Sequence, residues 1–391
     1  MNSRENVEFH LFHSVKGGCG KTANATFFIF RKIFQETHTL NNSRIGENVK
    51  DPRICLVDAD FRGTALEIYY RDNSMADSVF YVEGFGEKKK GAKHGHYSQD
   101  IIAQDDIDPA KRLYKVVYAA SGAASGAASG AASSVSGACS FNNEWAYNVA
   151  FCKSDHETKN AFVSNTTSYD GSSVSVVSFK AAFKNFLLRL SERHDIIVVD
   201  MSPGKDEYTK AIFEICLNMG FKKDVEDHLK GYSKGTEVKS KGVSVNLHLV
   251  ATPDIGHIES VGDYAVSLLS ERNMLETDPD SMEIIISEQG YYRDGSRFKT
   301  GHNLTALDPK KTMVDNNIDE IRKKIKKEVT YVKKMPEMNY QPYIKEYDFQ
   351  NRDTAISKSG SASEINPLFD TAIAIALEQG TDWVTPLKTG A

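Results

Sequence analysis

The sequence predicts an α/β protein in which a doubly wound, mainly parallel sheet carries helices on both faces. Three observations predict this fold class. Short β-branched runs alternate along the chain with longer segments of helical periodicity. Two of these runs end in acidic residues, one at positions 58 and 60 and the other at position 200, where open parallel sheets bind their ligands. A glycine-rich turn joins the first run to the first helix, as in phosphate-binding loops.

The first of these elements covers residues 7–35. Val7, Phe9 and Leu11 have the alternate spacing of a strand, whereas Phe28, Ile29 and Ile33 recur at helical spacing. Between the strand and the helix lies the loop KGGCGKT, at positions 16–22. The order strand, glycine loop, helix is the context that a phosphate-binding motif requires.

The residue types in this loop fit phosphate and magnesium. Its glycines let the backbone turn tightly with several N–H groups aimed inward, and the helix that follows adds its positive end. Lys21 would reach the outer phosphates, and Thr22 would offer its hydroxyl to Mg²⁺. The predicted nucleotide-binding residues of the loop are Lys16, Gly17, Gly18, Cys19, Gly20, Lys21, Thr22 and Ala23.

The pattern KGGxGKT resembles the deviant Walker A box of the ParA/MinD family of ATPases. The resemblance implies ATP and Mg²⁺ as cofactors and a homodimer that forms on ATP binding. It also implies that Lys16 crosses the dimer to touch the partner's phosphates, so that Lys16 and Lys21 both count as catalytic. The resemblance covers residues 7–288 in motif order, with gaps.

Residues 53–60, RICLVDAD, are predicted to form a buried strand that ends in two acids. Together with the following Phe61-Arg62-Gly63 they resemble the family's second box, DxDxxG. That resemblance implies that Asp60 orients the attacking water and that Asp58 supports the magnesium shell. A purely structural alternative is that Asp60 caps the short helix behind it.

A third box follows a predicted helix over 174–193, whose buried stripe includes Phe179, Phe183 and Leu190. Residues 194–204, HDIIVVDMSPG, then read as a fully buried parallel strand with an acid at its end. The segment resembles the Walker B box, with Ser202 in place of the first proline. By that resemblance Asp200 holds Mg²⁺ through water, and Gly204 leaves room beside the γ-phosphate.

The remaining elements are predicted from periodicity alone. They are a strand at 113–118, a helix at 205–220, a solvated excursion at 221–241, a strand at 243–251, a helix at 257–272 and a strand at 281–287. The resemblance places Pro253 and Asp254 near the base or ribose of the nucleotide. Ser287-Glu288-Gln289-Gly290 does not match the Asn-Lys-x-Asp box of guanine-specific GTPases, which favours ATP.

The motif order predicts one domain over 1–391, with low-complexity or insertion segments at about 72–110, 119–170 and 291–345. Residues 119–134 form an AASG repeat that carries no packing information and is either a natural insert or an engineered replacement. Residues 310–334 combine an apolar stripe with many lysines. This segment could bind DNA non-specifically or lie on a membrane, or it is a solvated surface helix.

Composition argues against two other kinds of protein. The net charge of −5 gives no global attraction to nucleic acid, and the five cysteines show no CxxC pair, which argues against a metal or redox site. No signal segment and no run of roughly 18 apolar residues is present, so we expect a cytoplasmic protein without integral membrane contact.

The function predicted on these grounds is a Mg²⁺-dependent ATPase that acts as an ATP-driven dimerisation switch for the partition or positioning of DNA or a cellular assembly, with a regulatory partner protein. One alternative is a bacterial tyrosine-kinase-like P-loop protein, because DADFRG resembles that group's second box. Lys16 and the lack of a tyrosine cluster after Tyr347 count against it. The other is a nucleotide-binding adaptor with little turnover, suggested by the substituted loops at Ser202 and Ser287.

Overall fold

The chain forms two structural units. A computed structural model describes residues 6–22, 24–26, 28–29, 32, 53–61, 66–67, 70, 80–83, 102, 113–118, 145–152, 174–232, 242–252, 254–275, 280–287, 323, 337–341 and 385–386. The first unit comprises Met1–Arg31 and Val199–Ala391, and the second comprises Lys32–Val198. The single-domain organisation of the whole chain stays a prediction.

Strands and helices alternate along much of the chain, as the sequence predicts. In chain order the elements are β1 (Asn6–His13), β2 (Ile54–Ala59), β3 (Phe80–Glu83), β4 (Tyr114–Tyr118), β5 (Trp145–Ala150), α1 (Val174–Ser191), β6 (Ile196–Met201), α2 (Glu207–Cys216), α3 (Met219–Tyr232), β7 (Gly242–Ala251), α4 (Ile255–Leu275), β8 (Ser281–Ser287), β9 (Glu337–Gln341) and β10 (Thr385–Pro386). Residues 21–22, 24–26 and 28–29 are also helical, and we call them the loop helix.

The first unit contains a mainly parallel sheet with the strand order β10-β9-β8-β7-β1. β1 pairs in parallel with β7, β7 with β8, and β8 with β9, whereas β10 runs antiparallel to β9. In the second unit β2 pairs in parallel with β5, and β4 is antiparallel to β5 and to β3. Most side chains of β1, β2 and β7 are buried, as expected when helices cover a sheet.

Helices lie on both faces of β1. Alternate side chains of a strand point to opposite sides, so Phe9 and Phe12 lie on different faces of the sheet. On one face Phe9 packs against Phe221 of α3, with ring centroids 5.1 Å apart. On the other face Phe12 packs against Phe28 of the loop helix, at 5.7 Å. The predicted fold class, a doubly wound α/β sheet, is confirmed.

Helix α1 follows the sequence prediction closely. The sequence predicts a helix over 174–193, and the helix covers Val174–Ser191. The aromatic and leucine side chains that recur every three or four residues are buried; they are Phe179, Phe183, Phe186, Leu187 and Leu190. Phe183 packs edge-on against Phe61 in the same unit, with centroids 6.4 Å apart.

The predicted solvated excursion at 221–241 is wrong in its first half. Residues up to Tyr232 belong to α3, and the helix predicted over 205–220 ends at Cys216 instead. Phe221, Val225 and Leu229 recur every fourth residue and are 2%, 0% and 6% exposed. This narrow apolar stripe, set among lysines and acids, is enough to seat an amphipathic helix on the sheet.

Three strands lie inside ranges predicted as insertions, namely β3, β5 and β9. β5 contributes the buried side chains of Tyr147 and Val149 to the second unit, and its register pairs Leu56 of β2 with Val149. These parts of the predicted insertion ranges are therefore strands of a sheet. The AASG repeat at 119–134, and 310–334 apart from Lys323, lie outside the described residues.

Candidate functional site

The loop after β1 is folded around the side chain of Ser14. The Ser14 hydroxyl donates to the carbonyl oxygen of Lys16 at 2.6 Å and accepts from the thiol of Cys19 at 2.8 Å. Gly18 and Gly20 have φ values of 74° and 83°, in the left-handed region that a β-carbon disfavours. The loop therefore has the tight, glycine-dependent turn expected from the sequence, with a buried hydroxyl at its centre.

Lys21 and Thr22 begin the loop helix, and both bind the carboxylate of Asp200 near the end of β6. The Lys21 ammonium pairs with Oδ1 of Asp200, and the Thr22 hydroxyl donates to Oδ2 at 2.6 Å. Lys21 is 6% exposed and Asp200 is 1% exposed. Three residues predicted to act together, from sequence positions almost 180 apart, are thus in direct contact within the first unit.

This arrangement fits a magnesium nucleotide. Phosphate oxygens suit the ammonium and the amides at the start of a helix, while a hydroxyl and a carboxylate are hard oxygen donors of the kind that Mg²⁺ prefers. Among the described residues no group of three or more His, Cys, Asp or Glu side chains could hold a metal by itself. Mg²⁺ is usually held by one or two carboxylates together with substrate phosphates, and Asp200 and Thr22 are residues that could hold it in this way.

The loop that follows β6 is tied to the end of β1. The backbone N–H of Gly204 donates to the carbonyl oxygen of Ser14 at 2.8 Å, and Gly204 has a φ of 89°. The imidazole of His13 donates from Nδ1 to the carbonyl oxygen of Ser202 at 3.1 Å. The phosphate loop and the Asp200 strand end are therefore held together by backbone as well as by side chains.

His13 is fully buried between Phe213 of α2 and Tyr264 of α4, with ring centroids 5.3 Å and 5.1 Å away. Burial, followed by the positive charge of Lys21, lowers the pKa of His13 from 6.5 to about 3. The imidazole is therefore neutral at physiological pH. Because Nδ1 carries the proton, Nε2 is a bare acceptor, and it has no partner among the described residues.

We expect His13→Asn to make the protein less sensitive to acid. Below pH 6.5 the unfolded histidine binds a proton that the folded one refuses until about pH 3, so stability falls as the pH falls through that window. Asparagine can still donate to the Ser202 carbonyl and does not titrate. Urea unfolding at pH 7 and pH 4.5 should show a smaller loss of unfolding free energy in the variant. An equal loss in both proteins would contradict this account.

The acids of the second box lie in the second unit. Asp58 is 1% exposed, and its two carboxylate oxygens accept the backbone N–H groups of Asp60 and Cys152, each at 3.2 Å. Asp58 therefore organises the backbone where β2 and β5 end. Asp60 is half-buried. The catalytic role of Asp60 and the metal role of Asp58 stay predictions.

The loop after β7 leads into α4. The Asp254 carboxylate accepts the backbone N–H of His257 at 2.9 Å and so caps the helix, while Pro253 and Ala23 lie outside the described residues. His257 accepts at Nδ1 from the N–H of Thr252, at 3.1 Å. Burial, and then the charge of Lys16, lower its pKa. The contacts of Pro253 and Asp254 with a base or ribose stay predictions.

The sequence reasoning missed Ser14, His13 and His257. A polar residue inside or just after an apolar strand is the signal that could have drawn attention to them, since buried polar groups in proteins normally have a hydrogen-bonding task.

Comparisons with known proteins give matches among solved structures. No protein-family profile and no curated protein matches the chain. A ParA family ATPase from Chlorobium tepidum covers 93% of this chain and 98% of its own, with 12% identity and a TM-score of 0.36. Apo McdA from Cyanothece covers 96% and 99%, with 12% identity and a TM-score of 0.41. An ATP complex of a Cyanothece McdA variant covers 99% and 100%, with 12% identity and a TM-score of 0.40.

The fold assignment rests on this chain's own geometry. A glycine loop between β1 and a helix, a lysine and a threonine at the start of that helix, and a strand-end aspartate that binds both are the parts of a phosphate-binding α/β site. The chain is therefore similar to ParA/MinD-type ATPases in its loop motif and has the α/β fold of a P-loop NTPase.

Proposed function

We propose that the protein is a Mg²⁺-dependent ATPase in which ATP binding closes a homodimer and hydrolysis reopens it. The observation that carries the proposal is the contact of Lys21 and Thr22 with Asp200 beside a second loop lysine, Lys16. Each of these residues has a distinct task in such a switch.

The two loop lysines support different roles because their environments are opposite. Lys21 is buried and paired with Asp200, so it is suited to phosphates held inside its own loop. Lys16 is exposed, and no described carboxylate forms an ion pair with it. An exposed lysine on the rim of a phosphate loop is available to the phosphates of a second subunit.

Phosphoryl transfer requires mainly the positioning of the reacting groups and the neutralisation of negative charge. Lys21 and the loop amides would hold the β- and γ-phosphates. Thr22 and Asp200 would hold the Mg²⁺, which supplies neutralisation of the developing negative charge. Asp60 would orient the attacking water, and Lys16 would complete the neighbouring site.

The decisive experiment compares Lys16→Ala with Lys210→Ala, a matched control on the exposed face of α2. Molecular mass from light scattering is measured with Mg²⁺ and a non-hydrolysable ATP analogue, and affinity by calorimetry. We expect the wild type and the control to dimerise. Lys16→Ala should bind the analogue within about threefold of the wild type but remain monomeric, because its role lies across the interface. Dimerisation by Lys16→Ala, or a monomeric wild type, would overturn the proposal.

Hydrolysis completes the proposed cycle, with Asp60 orienting the attacking water. In the same assay Asp60→Ala should retain ATP binding and accumulate as a dimer, while phosphate release stops. Loss of ATP binding in this variant would contradict the proposed role of Asp60. Phosphate release that is absent in the wild type as well would favour the adaptor with little turnover.

The cargo of the switch is proposed to be DNA or a cellular assembly that the dimer positions, with a partner protein that stimulates hydrolysis. Within the described residues no helix is both long and apolar enough to span a bilayer. Electrophoretic DNA binding with ATP at several salt concentrations tests the basic 310–334 segment. The slope against salt reports how many phosphates are neutralised.

A further inference from the structure

The side chain of Ser14 holds the backbone of Lys16 at both its N–H and its carbonyl group. The Ser14 hydroxyl donates to the carbonyl oxygen of Lys16 at 2.6 Å and accepts the backbone N–H of Lys16 at 3.2 Å. The thiol of Cys19 donates to the same hydroxyl oxygen at 2.8 Å. A serine hydroxyl offers one proton and two lone pairs, so these three contacts use its whole hydrogen-bonding capacity. The task of this hydroxyl therefore lies within the loop.

These contacts lie inside the protein, although Lys16 itself is exposed. Ser14 is 0% exposed and Cys19 is 1% exposed. Gly17 and Gly18, which directly follow Lys16, are exposed as well. Glycine populates more backbone conformations than other residues, so a lysine beside two glycines gains little rigidity from its neighbours in sequence. The buried hydroxyl supplies rigidity to the Lys16 backbone at the rim of the loop.

The backbone of Ser14 connects the same residue to the loop that follows β6. The carbonyl oxygen of Ser14 accepts the N–H of Gly204 at 2.8 Å. This loop begins just after Asp200, the residue that contacts Lys21 and Thr22. Ser14 is therefore bonded on one side to the loop beside the candidate metal ligand, and on the other side to the exposed lysine of the phosphate loop.

We propose that Ser14 is a positioning residue for Lys16, which it holds in the backbone conformation that reaches the phosphates of a second subunit. The inference rests on the proposed function, because Lys16 has that task only in the ATP-bound dimer. A lysine whose backbone is already fixed loses less conformational entropy when two subunits associate. Without the Ser14 hydroxyl the backbone of Lys16 is ordered only on association, and the dimer is weaker.

The test replaces Ser14 with alanine and with threonine. Alanine removes the hydroxyl, whereas threonine keeps a hydroxyl on the β-carbon. Ser191→Ala is the matched control, because the Ser191 hydroxyl is also buried and also donates to a backbone carbonyl oxygen, that of Leu188, at 2.6 Å. The wild type and the three full-length variants are each studied with Mg²⁺ and a non-hydrolysable ATP analogue.

Light scattering over a concentration series gives the dimer dissociation constant, and calorimetry below that concentration gives the affinity of the monomer for the analogue. We expect Ser14→Ala to raise the dimer dissociation constant by about tenfold, which corresponds to ordering the backbone of one residue. Its affinity for the analogue should stay within about threefold of the wild type, because the hydroxyl does not contact the nucleotide. Ser14→Thr and Ser191→Ala should behave as the wild type in both measurements.

Three results would overturn the proposal. The first is an unchanged dimer dissociation constant in Ser14→Ala. The second is a Ser14→Thr dimer as weak as that of Ser14→Ala. The third is a loss of analogue affinity in Ser14→Ala as large as its loss of dimer affinity, since that would indicate a general disruption of the loop and not the positioning of Lys16.

Hydrogen exchange of the Lys16 amide, measured without nucleotide, tests the contact apart from the dimer. In the wild type this amide should exchange at least about tenfold more slowly than in an unfolded chain, and in Ser14→Ala the protection should be lost. If Ser14→Ala fails to fold, the wild type alone decides, since an unprotected Lys16 amide would overturn the proposal. A wild type that stays monomeric but protects this amide would overturn the proposed function and not the hold of Ser14 on Lys16.

Discussion

Replacing Lys21 with alanine is expected to abolish ATP binding, with a loss of affinity of at least about 100-fold. The ammonium lies against Asp200 and Thr22, where phosphate and Mg²⁺ would lie. Charge-assisted hydrogen bonds contribute about 1.5–3 kcal/mol each, and a lysine cradled by phosphates makes more than one. Calorimetry with Mg²⁺ and ATP measures the loss, with Lys210→Ala as the control.

The same substitution should also destabilise the protein without nucleotide. Asp200 is 1% exposed, so Lys21→Ala leaves a buried carboxylate without its cation, and breaking a buried pair in this way costs about 3–5 kcal/mol. The double variant Lys21→Ala/Asp200→Asn removes that charge. We expect it to recover most of the lost stability and none of the ATP affinity.

The double variant separates two explanations of the loss of ATP affinity in Lys21→Ala. If its ATP affinity returned together with its stability, the effect of Lys21→Ala would lie in folding alone, and Lys21 would have no direct part in nucleotide binding. Circular dichroism of each variant at the calorimetry temperature shows how much of it is folded.

The fold and the centre of the site were predictable because their signals are local. The loop KGGCGKT carries its glycines, its lysine and its threonine within a few residues, and the six buried residues of β6 read as an uninterrupted apolar strand around Asp200. The meeting of Lys21 with Asp200 then follows from parallel strands, whose carboxyl ends share one edge of the sheet.

The features that sequence reasoning missed depend on packing or on register. Helix α3 was missed because its lysines and acids outnumber the three apolar residues of its buried stripe. Ser14 and His13 gain their roles from the carbonyl groups and thiol that surround them in space, which no local pattern encodes. The buried contact of His10 with His248 likewise depends on the register in which β1 pairs with β7.

Replacing Asp200 with asparagine is expected to strengthen the binding of metal-free ATP and to weaken hydrolysis in the presence of Mg²⁺. In the observed structure Asp200 holds Lys21 and Thr22 by both of its oxygens. Free ATP must compete with this carboxylate for the lysine and is also repelled by it. Asparagine can still accept from Thr22 but releases Lys21, so metal-free ATP should bind about tenfold more tightly, corresponding to one charge-assisted hydrogen bond regained.

With Mg²⁺ present the same variant should lose hydrolysis by about 100-fold or more, because the carboxylate that would hold the metal is gone. Calorimetry with EDTA and then with Mg²⁺, together with phosphate release, measures both arms on one preparation. An Asp200→Asn protein whose metal-free affinity is unchanged would show that the Lys21 pair does not compete with phosphate. Phosphate release at the wild-type rate would remove Asp200 from the metal site.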